Sequence, residues 1–303
     1  MPIVFNYETV KVTEFGLGLD NQTRAFNFVP VDEAVQSSLI DMVKETQHQM
    51  EQKEDHPLDY EPSEKYSSTE YLTLSLSNEL VKELKILHES ENLDENINAF
   101  NDIERCFAYF VKLTDDNDNR VTAVRRSTQF KTLIKKRNRL VQYVDNTLTE
   151  LNDTVFKLDN DFDFIIQNDL IHILRPSGLE FTAQLQRAVM EAVPGNIAVI
   201  EKEISFVDFE SISKYAQLHP RAARYIASIK SLSEASNVSH HKLAEYCKKT
   251  NVQTKEVDGK IYIDDSQVMG FLEILDRRRY EIDLVDDAKP EVYRAPSRNR
   301  VDK

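Results

Sequence analysis

Apolar positions along this chain switch between a two-residue and a roughly four-residue spacing, and each switch marks an element. Strand-like pieces open it around Ile3–Val12 and Ala25–Val31. Asp32 then stands where a helix cap is expected, and Val35, Leu39, Met42 and Val43 follow on one helical face. From Gln47 to Ser68 the chain turns polar and acidic, with Pro57 and Pro62, which predicts a mobile surface loop. Tyr71–Leu76 is strand-like, and Ser77 is placed to cap a short helix carrying Leu80, Leu84 and Leu87 on one face. Glu89–Asp102 is acidic and loop-like, which sets a soft boundary near residue 104.

Strand signals then dominate. Cys106–Leu113 predicts a buried strand, and Asp115–Asn119 a turn. Arg120–Arg126, Arg139–Val144, Thr154–Leu158, Phe162–Ile166 and Leu170–Leu174 continue a mostly antiparallel meander, with Asn168-Asp169 suited to a tight hairpin turn. A helix is expected over Glu180–Val193, ended by Pro194-Gly195, and two more over Asp208–Leu218 and Pro220–Ser231. Ser239 can cap a helix reaching Lys249. Asp258-Gly259 signals a hairpin between Val252–Val257 and Lys260–Ile263, and Asp265 precedes a helix with Val268, Phe271, Leu272 and Leu275 on one face. The fold class is therefore α+β: a mostly antiparallel sheet flanked by helices, with a C-terminal helix–hairpin–helix segment. Two domains are expected, 1–104 and 105–303.

Composition narrows the setting. No apolar run is long enough to span a bilayer, and the N-terminal residues lack the basic and apolar parts of a secretory signal. Cys106 and Cys247 are too few and too far apart for a disulfide framework or a zinc site. A reducing cytoplasm is the expected location. The net charge of −14 argues against a polyanion partner until its distribution is considered. Residues 1–104 hold 22 acidic and 7 basic groups, a net of −15, whereas the remainder holds 30 acidic and 31 basic groups.

Arg120 to Arg139 contain eight basic residues and no acid. Clustered Lys and Arg neutralise nucleic-acid phosphates and release counterions, which drives binding without reading sequence. Arg125, Arg126, Lys131, Lys135, Lys136, Arg137 and Arg139 are thus candidate DNA contacts; a solvated sheet face is the competing reading. Arg277, Arg278, Arg279, Arg294 and Arg298 form a second candidate group, although seven acids are interleaved from Asp276 onward. Asp159, Asp161 and Asp163 alternate with apolar residues. Paired carboxylates of this kind can hold Mg²⁺ in a nuclease, but the solvent face of a hairpin accounts for them more simply. Gly16-Leu17-Gly18 lacks the third glycine of a dinucleotide loop, and adjacent His240-His241 point apart on a helix. No catalytic residue, metal site or cofactor is expected.

Lys135-Lys136-Arg137-Asn138-Arg139, Phe156–Asp159, Asp161–Ile166, Lys260–Ile263, Phe271–Leu275 and the ending Tyr293-Arg294-Ala295-Pro296-Ser297 together resemble the KwaB family, over about residues 120–300. KwaB is the non-membrane component of the Kiwa bacterial anti-phage system. The resemblance implies a DNA-binding effector acting on phage DNA with a membrane-embedded partner, KwaA, which would recruit it to the inner membrane. It also implies a homo-oligomer, dimer or tetramer, and carries over no catalytic residue. A metal-dependent nuclease built on Asp161 and Asp163 is one alternative. A protein-binding scaffold acting through the acidic first third is another. That third is expected either to restrain DNA binding, to meet the membrane partner, or merely to keep the chain in solution.

Overall fold

A computed structural model of the chain describes residues 3–21, 23–53, 56–90, 105–127, 141–144, 147–150, 156–233, 237–284 and 289–295. Two compact units result: residues 1–60 with 68–185, and residues 61–67 with 186–303.

The first unit is built on an eight-stranded sheet of order β2-β1-β5-β6-β9-β10-β4-β3. Its strands are β1 (Lys11–Asn21), β2 (Thr23–Phe28), β3 (Leu58–Asp59), β4 (Leu72–Ser75), β5 (Cys106–Thr114), β6 (Arg120–Arg126), β9 (Phe164–Gln167) and β10 (Leu170–Ile173). Every pairing is antiparallel except the short β3–β4 contact. A separate hairpin, β7 (Val141–Val144) with β8 (Thr147–Glu150), lies outside it. The expected boundary near residue 104 does not separate compact units. β1 pairs with β5 from Lys11↔Thr114 to Leu19↔Cys106, and β4 pairs with β10, so the acidic third supplies half the strands of the sheet.

Helix α1 (Glu33–Glu51) covers one face of this sheet, and Leu39, Met42, Val43 and Met50 pack among Phe15, Leu17, Tyr109, Val111 and Ile165. Asp32 caps it through its side chain, which accepts from the Val35 N–H at 2.8 Å. The helix runs on to Glu51, so the polar stretch expected to be loop from Gln47 begins as helix. Helix α2 (Lys82–Glu89) meets the other face. Burial from both sides explains why β5 reads as a continuous apolar run over Cys106–Val111 rather than an alternating one. The strand missed by its pattern is β1. Gly16 and Gly18 look like loop residues, but a Cβ at Gly16 would lie 2.6 Å from the Phe110 ring and 2.0 Å from the Asn27 carbonyl oxygen. The glycines make room for aromatic packing rather than for a phosphate.

Helix α3 (Pro176–Thr182) ends the first unit, and Gln184 takes a left-handed φ of 56° beyond it. The second unit follows with α4 (Gln186–Glu191), α5 (Val193–Glu203), α6 (Glu210–Ala216), α7 (Pro220–Ser233), α8 (His240–Lys249), the hairpin β11–β12 (Lys255–Val257, Lys260–Tyr262), α9 (Val268–Leu275) and the ribbon β13–β14 (Arg279–Ile282, Glu291–Arg294). The single helix expected over Glu180–Val193 is thus broken. Pro194 starts α5 instead of ending a helix, because a first-turn residue has no intrahelical donor to lose. Helix α7 is central: Ala222, Ala223, Ile226 and Ile229 are buried in one core with Val193, Ile200, Phe271 and Leu272. Among the described residues no helix is long and apolar enough to cross a membrane.

Two histidines lie inside the first unit. His88 Nδ1 and Thr122 Oγ1 share a hydrogen bond of 2.8 Å, and His172 Nδ1 and the Tyr71 hydroxyl share one of 2.6 Å. Burial, helped at His88 by the Arg120 and Lys112 charges, lowers both pKa values to about 4. An unfolded histidine titrates near 6.5. Between those values the unfolded chain binds more protons, so stability falls as pH drops through that window. The urea midpoint is expected to be lower at pH 5 than at pH 7, and a His88→Gln/His172→Gln chain should show a flatter dependence. An unaltered slope in that double variant would refute the assignment.

Candidate functional site

Segment 159–163 crosses the end of the first unit's sheet and delivers three carboxylates to one guanidinium. Arg125 Nη1 donates to Asp163 Oδ1 at 2.9 Å and to Asp161 Oδ1 at 3.1 Å, and its Nε lies 3.4 Å from Asp159 Oδ2. Arg175 closes the cluster from the start of α3, pairing with Asp161 and lying 3.8 Å from Asp163. The Arg126 backbone N–H donates to Asp163 Oδ2 at 2.8 Å, and Gln49 Nε2 donates to Asp161 Oδ2 at 3.2 Å. Gly178 must lack a side chain here, since a Cβ would meet the Asp163 carboxyl at 2.2 Å.

These carboxylates are not a hairpin's solvent face: Asp161 and Asp163 are buried. Burial raises the Asp163 pKa against the pull of the Arg126 N–H and the two guanidiniums. At Asp159 burial also acts upward, but Lys157 and Arg125 outweigh it and hold the carboxyl below its usual value. A cation bound by Asp161 and Asp163 would have to displace both arginines, so the geometry gives the nuclease alternative no support. Among the described residues no group of three His, Cys, Asp or Glu side chains is arranged to hold a metal ion.

The candidate DNA contacts therefore divide. Arg125 is occupied by its carboxylates and leaves the set of surface phosphate contacts. Arg126 is exposed, and its guanidinium lies over the Phe181 ring, 3.9 Å from its centroid. Lys131, Lys135, Lys136, Arg137, Arg139 and Arg298 lie outside the described residues.

The second unit gathers the other group. Glu273 is 2 % exposed inside the otherwise apolar α9, and three arginines converge on it: Arg294 at 3.3 Å, Arg279 at 3.4 Å and Arg221 at 3.8 Å. Arg279 Nε also donates to the Thr250 carbonyl at 2.9 Å. Arg278 pairs at 2.5 Å with Asp276, which is fully buried, and its guanidinium lies 5.1 Å from the Tyr225 ring. Arg277 takes a left-handed φ of 58° at the end of α9 and is exposed. A single carboxylate facing three guanidiniums leaves a local positive surplus, and the side chains of Arg221 and Arg294 are 62 % and 58 % exposed. Two buried carboxylates touch this group: Glu273, which faces Arg221, Arg279 and Arg294, and Asp276, the first of the interleaved acids, which pairs with Arg278.

A family model described as Kiwa protein KwaB-like matches residues 103–284. The chain belongs to this family. It is accordingly a component of the Kiwa anti-phage defence system. No curated protein and no solved structure matches it. The KwaB-like match takes in Arg125, the aspartates, Arg175, Arg221, Glu273 and Arg277–Arg279, and ends before Arg294. Three participants escaped the sequence pattern: Arg175, Arg221 and Glu273. Only Glu273 carried a signal, as the one charge in Val268–Leu275.

Removing one partner of a buried ion cluster leaves uncompensated charge, a loss of about 3–5 kcal/mol. Arg125→Met should lower unfolding stability on that scale, whereas exposed Arg126→Ala should cost under about 1 kcal/mol. Urea unfolding of the two variants measures the difference. Similar small losses in both would show that the aspartates do not depend on Arg125.

Proposed function

We propose that this KwaB-like chain binds DNA through phosphate contacts as the effector of its defence system, held at the inner membrane by a membrane-embedded KwaA-like partner. The observation that carries the reading is the arginine surplus around Glu273. Arg221, Arg277 and Arg294 lie on an exposed surface, and buried Glu273 faces two of them, Arg221 and Arg294, from below. Arginine's planar fork suits phosphate oxygens bidentately, and prior ordering reduces the entropy lost on binding. Arg126, and the acid-free run that follows it in sequence, add a second basic element in the first unit. Binding of this kind tolerates any sequence and weakens steeply with salt. The reading includes no hydrolysis of DNA, and assembly as a homo-oligomer. The overall charge of −14 fits it, because net charge limits unspecific adhesion while a local patch still attracts phosphate.

Titration of labelled duplex DNA across about 50–200 mM salt should show a steep, sequence-independent loss of affinity. Arg221→Gln/Arg277→Gln/Arg294→Gln should weaken binding to unrelated sequences alike, and flatten the salt slope by about 0.9 for each phosphate that the variant no longer neutralises. Charge reversal at Lys135, Lys136 and Arg137 tests the other basic element in the same assay. Absence of duplex binding at low salt, or unchanged affinity in both triple variants, would sink the proposal.

A further inference from the structure

Hairpin β11–β12 has one edge in use and one edge open. Glu256 pairs with Ile261, between the pairs Lys255↔Tyr262 and Val257↔Lys260. Along an antiparallel pair, alternate residues turn their N–H and C=O away from the partner strand. On the β12 side those outward groups are bonded. The Ile261 N–H donates to the Phe206 carbonyl at 2.8 Å, and the Ile261 carbonyl accepts from the Asp208 N–H at 2.9 Å. The Ile263 carbonyl accepts from the Ser211 hydroxyl at 3.1 Å. By the same alternation Glu256, and Thr254 two residues before it, turn their backbone groups out of the β11 edge. Among the described residues neither makes a backbone hydrogen bond there. Helix α8 runs back alongside this edge. Its first residue, His240, lies 3.5 Å from the Glu256 carboxylate. Further along, Ala244 and Lys248 share a groove of about 610 Å³ with Thr254, Lys255, Asp264 and the buried Val252.

The geometry points to strand addition: an extended, acidic segment of a partner protein lies between α8 and β11 and hydrogen-bonds the open backbone of Thr254 and Glu256. This goes beyond the DNA reading and does not rest on it. The groove falls within the roughly 300–1,000 Å³ of ligand pockets. An open strand edge takes another peptide backbone, whose donors and acceptors alternate as its own do. A sugar-phosphate backbone suits it poorly, because DNA brings acceptors there and the outward carbonyls need donors. Charge selects the side chains. Lys255 is held by both oxygens of Asp264, at 3.1 and 3.0 Å, and Glu245 is held by Lys249 at 2.9 Å. Lys248 is exposed and has no ionic partner among the described residues, so the groove has a cation to spare for a carboxylate. A second copy cannot supply β11 itself: antiparallel pairing about Glu256 would set two glutamates opposite each other, and α8 flanks that edge too. The competing account is a solvated edge, kept from pairing by its three-residue length and by Lys255.

The probe is a fluorescein-labelled pool of peptides alternating Glu with Val, Leu or Phe, titrated by anisotropy into the full chain. Three further pools share its pattern: one with Lys for Glu, one N-methylated at the Glu residues, and one N-methylated at the apolar residues. A strand turns alternate N–H groups to opposite edges, so one methylated pool should lose roughly tenfold or more while the other loses little. Lys248→Gln should weaken the Glu pool by about 3- to 10-fold. Hydrogen exchange in the parent should show the Thr254 and Glu256 amides gaining protection with the Glu pool, and Ile261 protected with or without it. No binding of the Glu pool would overturn the proposal. So would equal affinities of both methylated pools, or protection confined to other segments. Equal binding of the Lys pool, or an unchanged Lys248→Gln chain, would remove the acidic choice. Displacement of the Glu pool by oligo-dT, with oligo-dT binding itself weakened in the Lys248→Gln chain, would give the groove to nucleic acid instead.

Discussion

Arg125 facing Asp159, Asp161 and Asp163 is the contact on which the first unit depends. Neither the cation nor the carboxylates would be stable so far from water alone. Together they fasten segment 159–163 across β6, just where the chain enters β9 and then α3. Asp163 extends the effect through its backbone: its N–H donates to the Val124 carbonyl, and its own carbonyl accepts from the N–H groups of Leu174 and Arg175. One residue thus ties β6, the end of β10 and the start of α3 together. Its side chain allows only glycine at position 178.

The second unit applies the same electrostatics with the ratio inverted. In the first unit three carboxylates surround Arg125, and in the second three arginines surround Glu273. The first arrangement consumes a cation that the sequence offered to DNA; the second leaves cations over. Counting charges along the chain could not separate these cases, because the count in Arg277–Arg294 is nearly balanced. Burial separates them. Glu273 and Asp276 lie under the arginines, while the other acids of this stretch that the structure describes, Glu281, Asp283 and Glu291, lie along or beyond the ribbon.

Local signals were legible where local physics decides. Asp32 caps its helix, Asn168 turns its hairpin with φ of 53°, and Asp258-Gly259 turns the next with φ values of 51° and 75°. What escaped was set by distant partners. β1 hid behind its glycines because Phe110, nearly a hundred residues away in sequence, fills the space they leave. Pro194 looked like a stop because the break at Gln184 is a backbone feature with no glycine or proline to announce it. Asp161 and Asp163 alternated as a surface strand would, yet they are buried, because Arg125 and Arg175 meet them there. The family resemblance was legible over the region that the KwaB-like model matches; the acidic third carried no such mark, although it completes the sheet.

That completion has a consequence for synthesis. The hairpin of β1 and β2 is finished by Phe28, but its neighbour β5 begins only at Cys106, and β4 waits for β10 at Leu170. Translation proceeds at about 5–20 residues per second, so the first strands spend on the order of ten seconds outside the ribosome before the sheet can close. During that interval Phe15, Leu17 and the apolar face of α1 have each other but not the strands they finally cover. The net charge of −15 on this third favours repulsion between nascent copies over the same interval, which opposes clustering while the apolar surface is open.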